Sequence, residues 1–362
     1  VVDDLGAELS LSTAALAVIT SLPLVCFGLV SPFAPALAGR LGLHRAVLAG
    51  TAVIAVGIVL RPAGTVGLFL GTVVLTGGIA VVNVLVPAVA RAEYGSRSAA
   101  VVGAVTGAMA LSASLGAGLA QPFADATGSA VVGLALWGLP VAAAVLALVL
   151  LVRARPERTT PPPAPGRRTA ILRDRVAQAV IAYFGLQSLS FYAMLTWLPG
   201  ILQDDAGVSP VAAGALLAVA VLIGAPLSLV LPPLAARRPG QGAWIVAAGL
   251  PVAVAIVGLL VAPAAAPTVW AVLYGLGTGA AFPLAMTLVL VRARDVAQTG
   301  RLSAAAQSLG YLVAASGPLA VGLLHDATDG WTAGLVLMLV VSGAQMMVGL
   351  AAARPSSVRA DA

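Results

Sequence analysis

Long apolar runs alternate with short polar breaks along this chain, and that rhythm predicts eleven helices able to cross a bilayer. About 20 apolar residues in a helix cross a hydrocarbon core of about 30 Å. The expected spans are 12–38, 46–61, 65–90, 98–122, 130–152, 177–202, 210–235, 243–262, 267–291, 299–324 and 331–352. Most breaks are short, so consecutive helices should be antiparallel neighbours. One break differs. From Arg153 to Arg175 the chain reads RARPERTTPPPAPGRRTAILRDR, with seven arginines and five prolines, the signature of an extended tether. Five expected spans precede it and six follow. The implied organisation is a first bundle over 1–152, a linker over 153–176, a second bundle over 177–353 and a tail over 354–362.

Composition sharpens the class. The 362 residues are 60% hydrophobic and 9% charged, with a mean hydropathy of +1.05. A water-soluble domain carries about 25% charged residues. The expectation is an all-α polytopic membrane protein, its main partner the lipid bilayer. A net charge of +6 would suggest nucleic acid in a soluble protein. Here nucleic acid is excluded as a partner, because the charge sorts by membrane side. Eighteen of the nineteen arginines fall on one side, and there is no lysine. The other side holds Asp3, Asp4, Glu8, Asp125, Asp204, Asp205, Asp326 and Asp329, with Arg61 as its only base. The positive-inside rule makes the arginine side cytoplasmic. Linker and C-terminus then lie inside the cell membrane, and residue 1 outside. Arg61 reads either as an interfacial side chain reaching the outer headgroups or as an electropositive lure.

Three matches at one offset reveal an internal repeat. A shift of 201 residues sets Asp3-Asp4-Leu5-Gly6 on Asp204-Asp205-Ala206-Gly207 and Arg91-Ala92 on Arg292-Ala293. The same shift sets Asp125-Ala126-Thr127 on Asp326-Ala327-Thr328. Parallel repeats of six helices are a known transporter plan. The helix at 177–202 has no counterpart, which would lie upstream of residue 1. The expectation is therefore a twelve-helix plan whose first helix is missing from this sequence; a genuine eleven-helix chain is the alternative.

Polar groups are costly in hydrocarbon and mark interior faces. Spans 46–61, 130–152 and 243–262 contain only Thr51 as an uncharged polar residue, apart from Trp137 and Trp244, and read as lipid-facing buttresses. The larger polar side chains crowd into 65–90, 177–202, 267–291 and 299–324. Tyr183, Gln187, Ser190, Met194 and Trp197 form one stripe at spacings of 4, 3, 4 and 3 residues. Tyr192 lies on the same helix, Tyr274 and Thr278 stack on another, Gln307 and Tyr311 on a third, and Asn83 on a fourth. These ten, Met194 aside, are the candidate substrate-binding residues of a central polar cavity; hydrogen bonding between packed helices is the competing reading. Gln187, Gln307 and Asn83 lead because amides both donate and accept, so Gln187→Ala or Gln307→Ala should cut transport. Pro87 and Pro283, in matching helices, read as gating hinges or as static kinks. Gly103-x3-Gly107 and Gly275-x-Gly277-x-Gly279 read as close helix packing.

Some chemistries are not supported. Cys26 is single, and His44 and His325 lie near helix ends, so no disulfide, metal site or cofactor is expected. No catalytic constellation or nucleotide loop is present, so an enzyme is not expected. No Asp or Glu lies within a span, so a carboxylate proton relay is not visible.

Several segments carry a resemblance to a known family. Gly39-Arg40-Leu41-Gly42-Leu43-His44-Arg45 resembles a degraded form of the loop motif between the second and third helices of the major facilitator superfamily, without its aspartate. Asn83-Val84-Leu85-Val86-Pro87, Phe191-Tyr192-Ala193-Met194-Leu195-Thr196-Trp197-Leu198-Pro199 and Leu302-Ser303-Ala304-Ala305-Ala306-Gln307-Ser308-Leu309-Gly310-Tyr311 are similar to the superfamily's cyanate permease and 2-nitroimidazole transporter branch. Gly317-Pro318 and Leu323-Leu324-His325-Asp326 extend the likeness over nearly the whole chain. The branch's Asn-Leu-Arg element in the first helix has no position here. The resemblance implies a two-bundle fold and a secondary active transporter working by alternating access. Arg40 and Arg45 join Pro87 and Pro283 as candidate gating residues. The implied substrate is a small anion such as cyanate or a nitroimidazole-like heterocycle, with a coupling proton as a further partner and a monomer as the working form. Efflux of drugs or metabolites within the same superfamily, or a truncated form that transports nothing, are the alternatives.

Overall fold

Hydrocarbon offers no water to backbone N–H and C=O groups, so apolar segments of this length satisfy them internally as helices. The computed structural model of the chain describes residues 8–9, 11, 13–154 and 170–359. Most of the Arg/Pro tether, and Asp3 and Asp4, lie outside the described residues. The helices before the tether are α1 Thr13–Val30, α2 Ala34–Leu41, α3 Leu43–Leu60, α4 Gly64–Tyr94, α5 Ser98–Thr127, α6 Ala130–Ala135 and α7 Gly138–Ala154. After it come α8 Arg175–Asp204, α9 Pro210–Leu222, α10 Gly224–Ala236, α11 Gly242–Val261, α12 Pro267–Arg292, α13 Val296–Thr328 and α14 Thr332–Ala352.

Polar residues at the breaks set where helices start. Asp174 accepts from the N–H groups of Val176 and Ala177 to open α8, and Asp295 accepts from that of Gln298 to open α13. Ser129 and Ser209 cap α6 and α9 in the same way. Gly128 and Asp329, 201 residues apart, both end their helices in the left-handed conformation. The repeat thus extends to individual caps.

Three expected spans are each two helices, and proline explains all three. Pro32, Pro140 and Pro226 have no N–H, so the carbonyls of Gly28, Leu136 and Leu222, four residues upstream of them, lose their usual helical donors, and that of Leu136 accepts from the Leu139 N–H instead. The chain turns at Ser31–Phe33, at Leu136–Trp137 and at Ile223. Ten stretches among the described residues are long and apolar enough to cross a membrane. One of them, Gly64–Gly116, is 53 residues long; as a straight helix it would measure about 80 Å. It turns at Gly95 (φ +49°), so α4 and α5 cross separately and the eleven expected crossings are recovered.

The helices pack as two bundles. In the first, α3 lies tightly along α4, where a Cβ on Gly78 would stand 2.5 Å from the Gly50 carbonyl oxygen. In the second, α8 packs along α13, α11 along α12, and α14 against α8 and α11. The bundles meet where α13 contacts α1 and α4 and where α5 contacts α10. At the latter seam a Cβ on Gly103 would come within 2.6 Å of the Ser228 carbonyl oxygen, so only glycine permits this approach. None of the most apolar window of Ala130–Arg153 is buried, as a lipid-facing helix requires. By contrast, α11 buries Ile245, Ala248, Val252, Ala255, Ile256 and Leu259 within its bundle. A helix without polar groups can fill a core as readily as face lipid.

Candidate functional site

Two proline-freed carbonyls organise the centre of the molecule. Pro87 leaves the backbone carbonyl of Asn83 in α4 without an intrahelical donor, and Gln307 Nε2, from α13 of the other bundle, donates to it at 3.3 Å. Pro32 does the same to Gly28 in α1, and Ser308 Oγ donates to that carbonyl at 2.6 Å. Consecutive residues of one helix therefore satisfy two orphaned acceptors in the opposite bundle. Gln307 Nε2 also donates to Ser303 Oγ at 2.9 Å.

Beside Gln307 is a cavity of about 20 Å³ between the bundles. Asn83, Val86, Thr106 and Met109 line it from α4 and α5, and Phe282, Met286 and Gln307 from α12 and α13. Thr106 Oγ1 is spent on the Gly103 carbonyl at 3.1 Å. Among the described residues neither the Asn83 side-chain amide nor Gln307 Oε1 has a hydrogen-bond partner, and no charged side chain lines the cavity. Aromatic rings adjoin it. Phe282 stands 6.0 Å from Phe184, which meets Tyr311 edge-on at 5.2 Å. Tyr311, one turn beyond Gln307, also packs against Phe27 at 5.1 Å and Tyr192 at 6.4 Å. The arrangement offers neutral donors and acceptors from both bundles beside polarisable ring faces.

The remaining candidates fall elsewhere. Ser190 Oγ lies 3.0 Å from Tyr274 Oη, which donates to the Ser190 carbonyl at 2.8 Å, tying α8 to α12. Thr278 Oγ1 bonds back to the Tyr274 carbonyl. Gln187 Nε2 donates to its neighbour Ser188 Oγ at 2.6 Å. Trp197 Nε1 donates to the Pro318 carbonyl at 2.8 Å, and the Tyr183 ring packs on Gly349 of α14. The stripe on α8 thus shares one face, but much of that face looks into its own bundle. Arg40 is exposed in the last turn of α2, and Arg45 lies in the first turn of α3. Val86 and Phe282, which precede Pro87 and Pro283, both line the cavity.

Some residues escaped sequence reasoning. Gly28 was recoverable from the four-residue offset to Pro32, and Phe282 from its place before Pro283; the pairing of Ser308 with Gly28 was not. Arg91 stood in the repeat as a register mark; in the fold its guanidinium crosses to the other bundle. At the acidic end, Arg61 lays its stem over Gly71 and buries an Nε that has no partner among the described residues.

A two-bundle helical fold with a neutral polar cavity at the seam is the architecture of a membrane transporter. The sequence profile described as Major Facilitator Superfamily matches residues 1–318. The chain belongs to the Major Facilitator Superfamily. It is similar to the 2-nitroimidazole transporter of Escherichia coli (strain K12), 34% identical over 359 residues that span 99% of this chain and 91% of that one. It is similar also to the cyanate transport protein CynX of the same organism, 28% identical over 328 residues, 89% of this chain and 83% of that one. Among solved structures, the superfamily transporter FucP in its outward conformation superposes with a TM-score of 0.77, covering 97% of this chain and 93% of that one at 14% identity. The protein is a multi-pass membrane transporter of this superfamily.

Proposed function

We propose that this chain is a secondary active transporter of a small planar polar solute, held between the amides of Asn83 and Gln307. The observation that carries the reading is the cavity these two residues share from opposite bundles. At about 20 Å³ it has room for a single water, so a solute of several heavy atoms enters only when the bundles part. Parting breaks the Gln307 bond to the Asn83 carbonyl, which couples solute binding to bundle motion, as alternating access requires. The arginine-rich end is cytoplasmic on the positive-inside rule.

The neutral lining and adjoining Tyr311 and Phe282 rings favour an uncharged heterocycle of the nitroimidazole kind. A small anion such as cyanate is the second reading: amide N–H groups of Asn83 and Gln307 would hold it, and one relative carries cyanate in its name. A coupling proton would supply the driving force. The test is uptake of labelled 2-nitroimidazole and of cyanate into proteoliposomes, with and without a proton gradient. Asn83→Ala and Gln307→Ala should each lower uptake about tenfold, the worth of one lost hydrogen bond, while Gln187→Ala stays within about twofold because Gln187 does not line the cavity and its Nε2 is bonded to Ser188. Normal uptake in both of the first two variants would remove the cavity from the transport path.

A further inference from the structure

The repeat places two arginines at equivalent helix ends, and the fold uses them differently. Arg91 lies in the last turn of α4 and Arg292 ends α12, 201 residues apart. The last carbonyls of a helix have no intrahelical donors and carry partial negative charge, so a guanidinium is a fitting cap. Arg292 caps within its own bundle. Its Nε donates to the Ala352 carbonyl at 2.7 Å and its Nη2 to that of Ala353 at 3.0 Å, at the end of α14. Its Nη2 also donates to Oε1 of Gln241, the residue before α11. Arg91 instead caps across the seam. Its Nη1 donates to the carbonyls of Leu290 at 2.7 Å and Ala293 at 2.8 Å, at the end of α12. Its Nη2 donates to the Arg294 carbonyl at 2.6 Å.

The difference has a visible cause. Gln241 precedes α11, and the residue in the same place before the matching helix α3 is Gly42, which has no side chain to accept. The first bundle still contains the other half of the cradle. By the repeat, Ala352 and Ala353 correspond to Leu151 and Val152 in the last turn of α7, whose carbonyls are among the four that a helix leaves without partners. An open groove of about 520 Å³ at the seam, lined by Arg91, Ser96 and Ser98 of the first bundle and Ala236, Leu290 and Asp295 of the second, adjoins the Arg91 side chain, so the guanidinium is not packed in on that side.

We propose that Arg91 is a two-position positioning residue: it caps α12 while the arginine-rich end is closed, and caps the Leu151 and Val152 carbonyls of α7 when that end opens. The second position is the grip that Arg292 already shows in its own bundle. Exchanging one set of carbonyls for another keeps the guanidinium hydrogen-bonded throughout, so opening does not strand a charge at the membrane boundary. Lacking a counterpart to Gln241, the α7 position is weaker by one charge-assisted bond, and Arg91 rests on α12. The inference rests on the alternating-access reading.

The experiment measures distances between spin labels at Arg97→Cys and Arg238→Cys, both exposed at this end, in a Cys26→Ala background without substrate. Arg91→Ala should raise the ratio of long to short distances about tenfold or more, the effect of losing a single charge-assisted bond; Arg91→Lys should fall between. Val152→Glu adds an acceptor at the α7 position and should raise the same ratio in the Arg91 protein but not in the Arg91→Ala protein. An unchanged ratio in Arg91→Ala, or an equal effect of Val152→Glu in both backgrounds, overturns the switch. Uptake assays on the same preparations separate the two readings. Transport with unresponsive distances leaves the transporter standing and refutes the switch. Responsive distances in a protein that transports neither solute refute the proposed substrate site and keep the switch.

Discussion

Ser308→Ala isolates the cost of leaving a proline-freed carbonyl unsatisfied. Gly28 is buried, and Pro32 cannot supply the N–H that its carbonyl would receive in an unbroken helix. Ser308 Oγ, at 2.6 Å, is its donor. Removing the hydroxyl strands a buried acceptor, at a cost of about 1–3 kcal/mol. With an unfolding entropy of about 2.1 cal/mol/K per residue, that loss should lower the melting temperature of the purified protein by about 1–4 °C. The decisive comparison is the double variant Pro32→Ala, Ser308→Ala. Alanine at position 32 restores an N–H four residues beyond Gly28, so the second substitution should cost almost nothing in that background. Scanning calorimetry or intrinsic fluorescence in one detergent reads all four members of the cycle. A coupling between the two positions below about 0.5 kcal/mol, the lower bound for a hydrogen bond, would refute the account of how α1 is held by α13.

Further outcomes follow from other contacts. Gly103→Leu, whose first side-chain atom would stand 2.6 Å from the Ser228 carbonyl oxygen, should force α5 from α10, and labels placed across that seam should move apart; an unchanged distance would show the approach is not limiting. Tyr274→Phe removes the bonds to Ser190 and should cost about 1–3 kcal/mol in stability while leaving uptake within about twofold; a selective loss of uptake would return Tyr274 to the site. The Asp205 carboxyl is held above its usual range by burial and by Asp204, with His325 opposing. A raised native pKa means that the folded protein binds this proton more tightly, so stability falls as pH rises through that pKa. Asp205→Asn should therefore raise the melting temperature at neutral pH, with the gain vanishing below the ordinary carboxylate range near about pH 4. A gain persisting at acid pH would refute the assignment.

The spans, the repeat and the sorting of charge were legible in the chain because each depends on local composition. A bilayer demands about 20 apolar residues per crossing wherever they occur, and a repeat keeps its register marks, as Gly128 and Asp329 do. The breaks at Pro32, Pro140 and Pro226 follow from proline's missing N–H, so they too were within reach. The site was only half visible. Periodicity says which side chains share a helix face, and Tyr183, Gln187 and Ser190 do share one; it does not say what that face meets. Only the tertiary structure decided that Gln307 and Ser308 answer carbonyls 224 and 280 residues away, and that much of the stripe on α8 looks into its own bundle. The same holds for Arg91 and Arg292. Identical residues at matching helix ends reach for different partners, Arg292 within its own bundle to Gln241 and the end of α14 and Arg91 across the seam to the end of α12, a difference that exists only once the helices are packed.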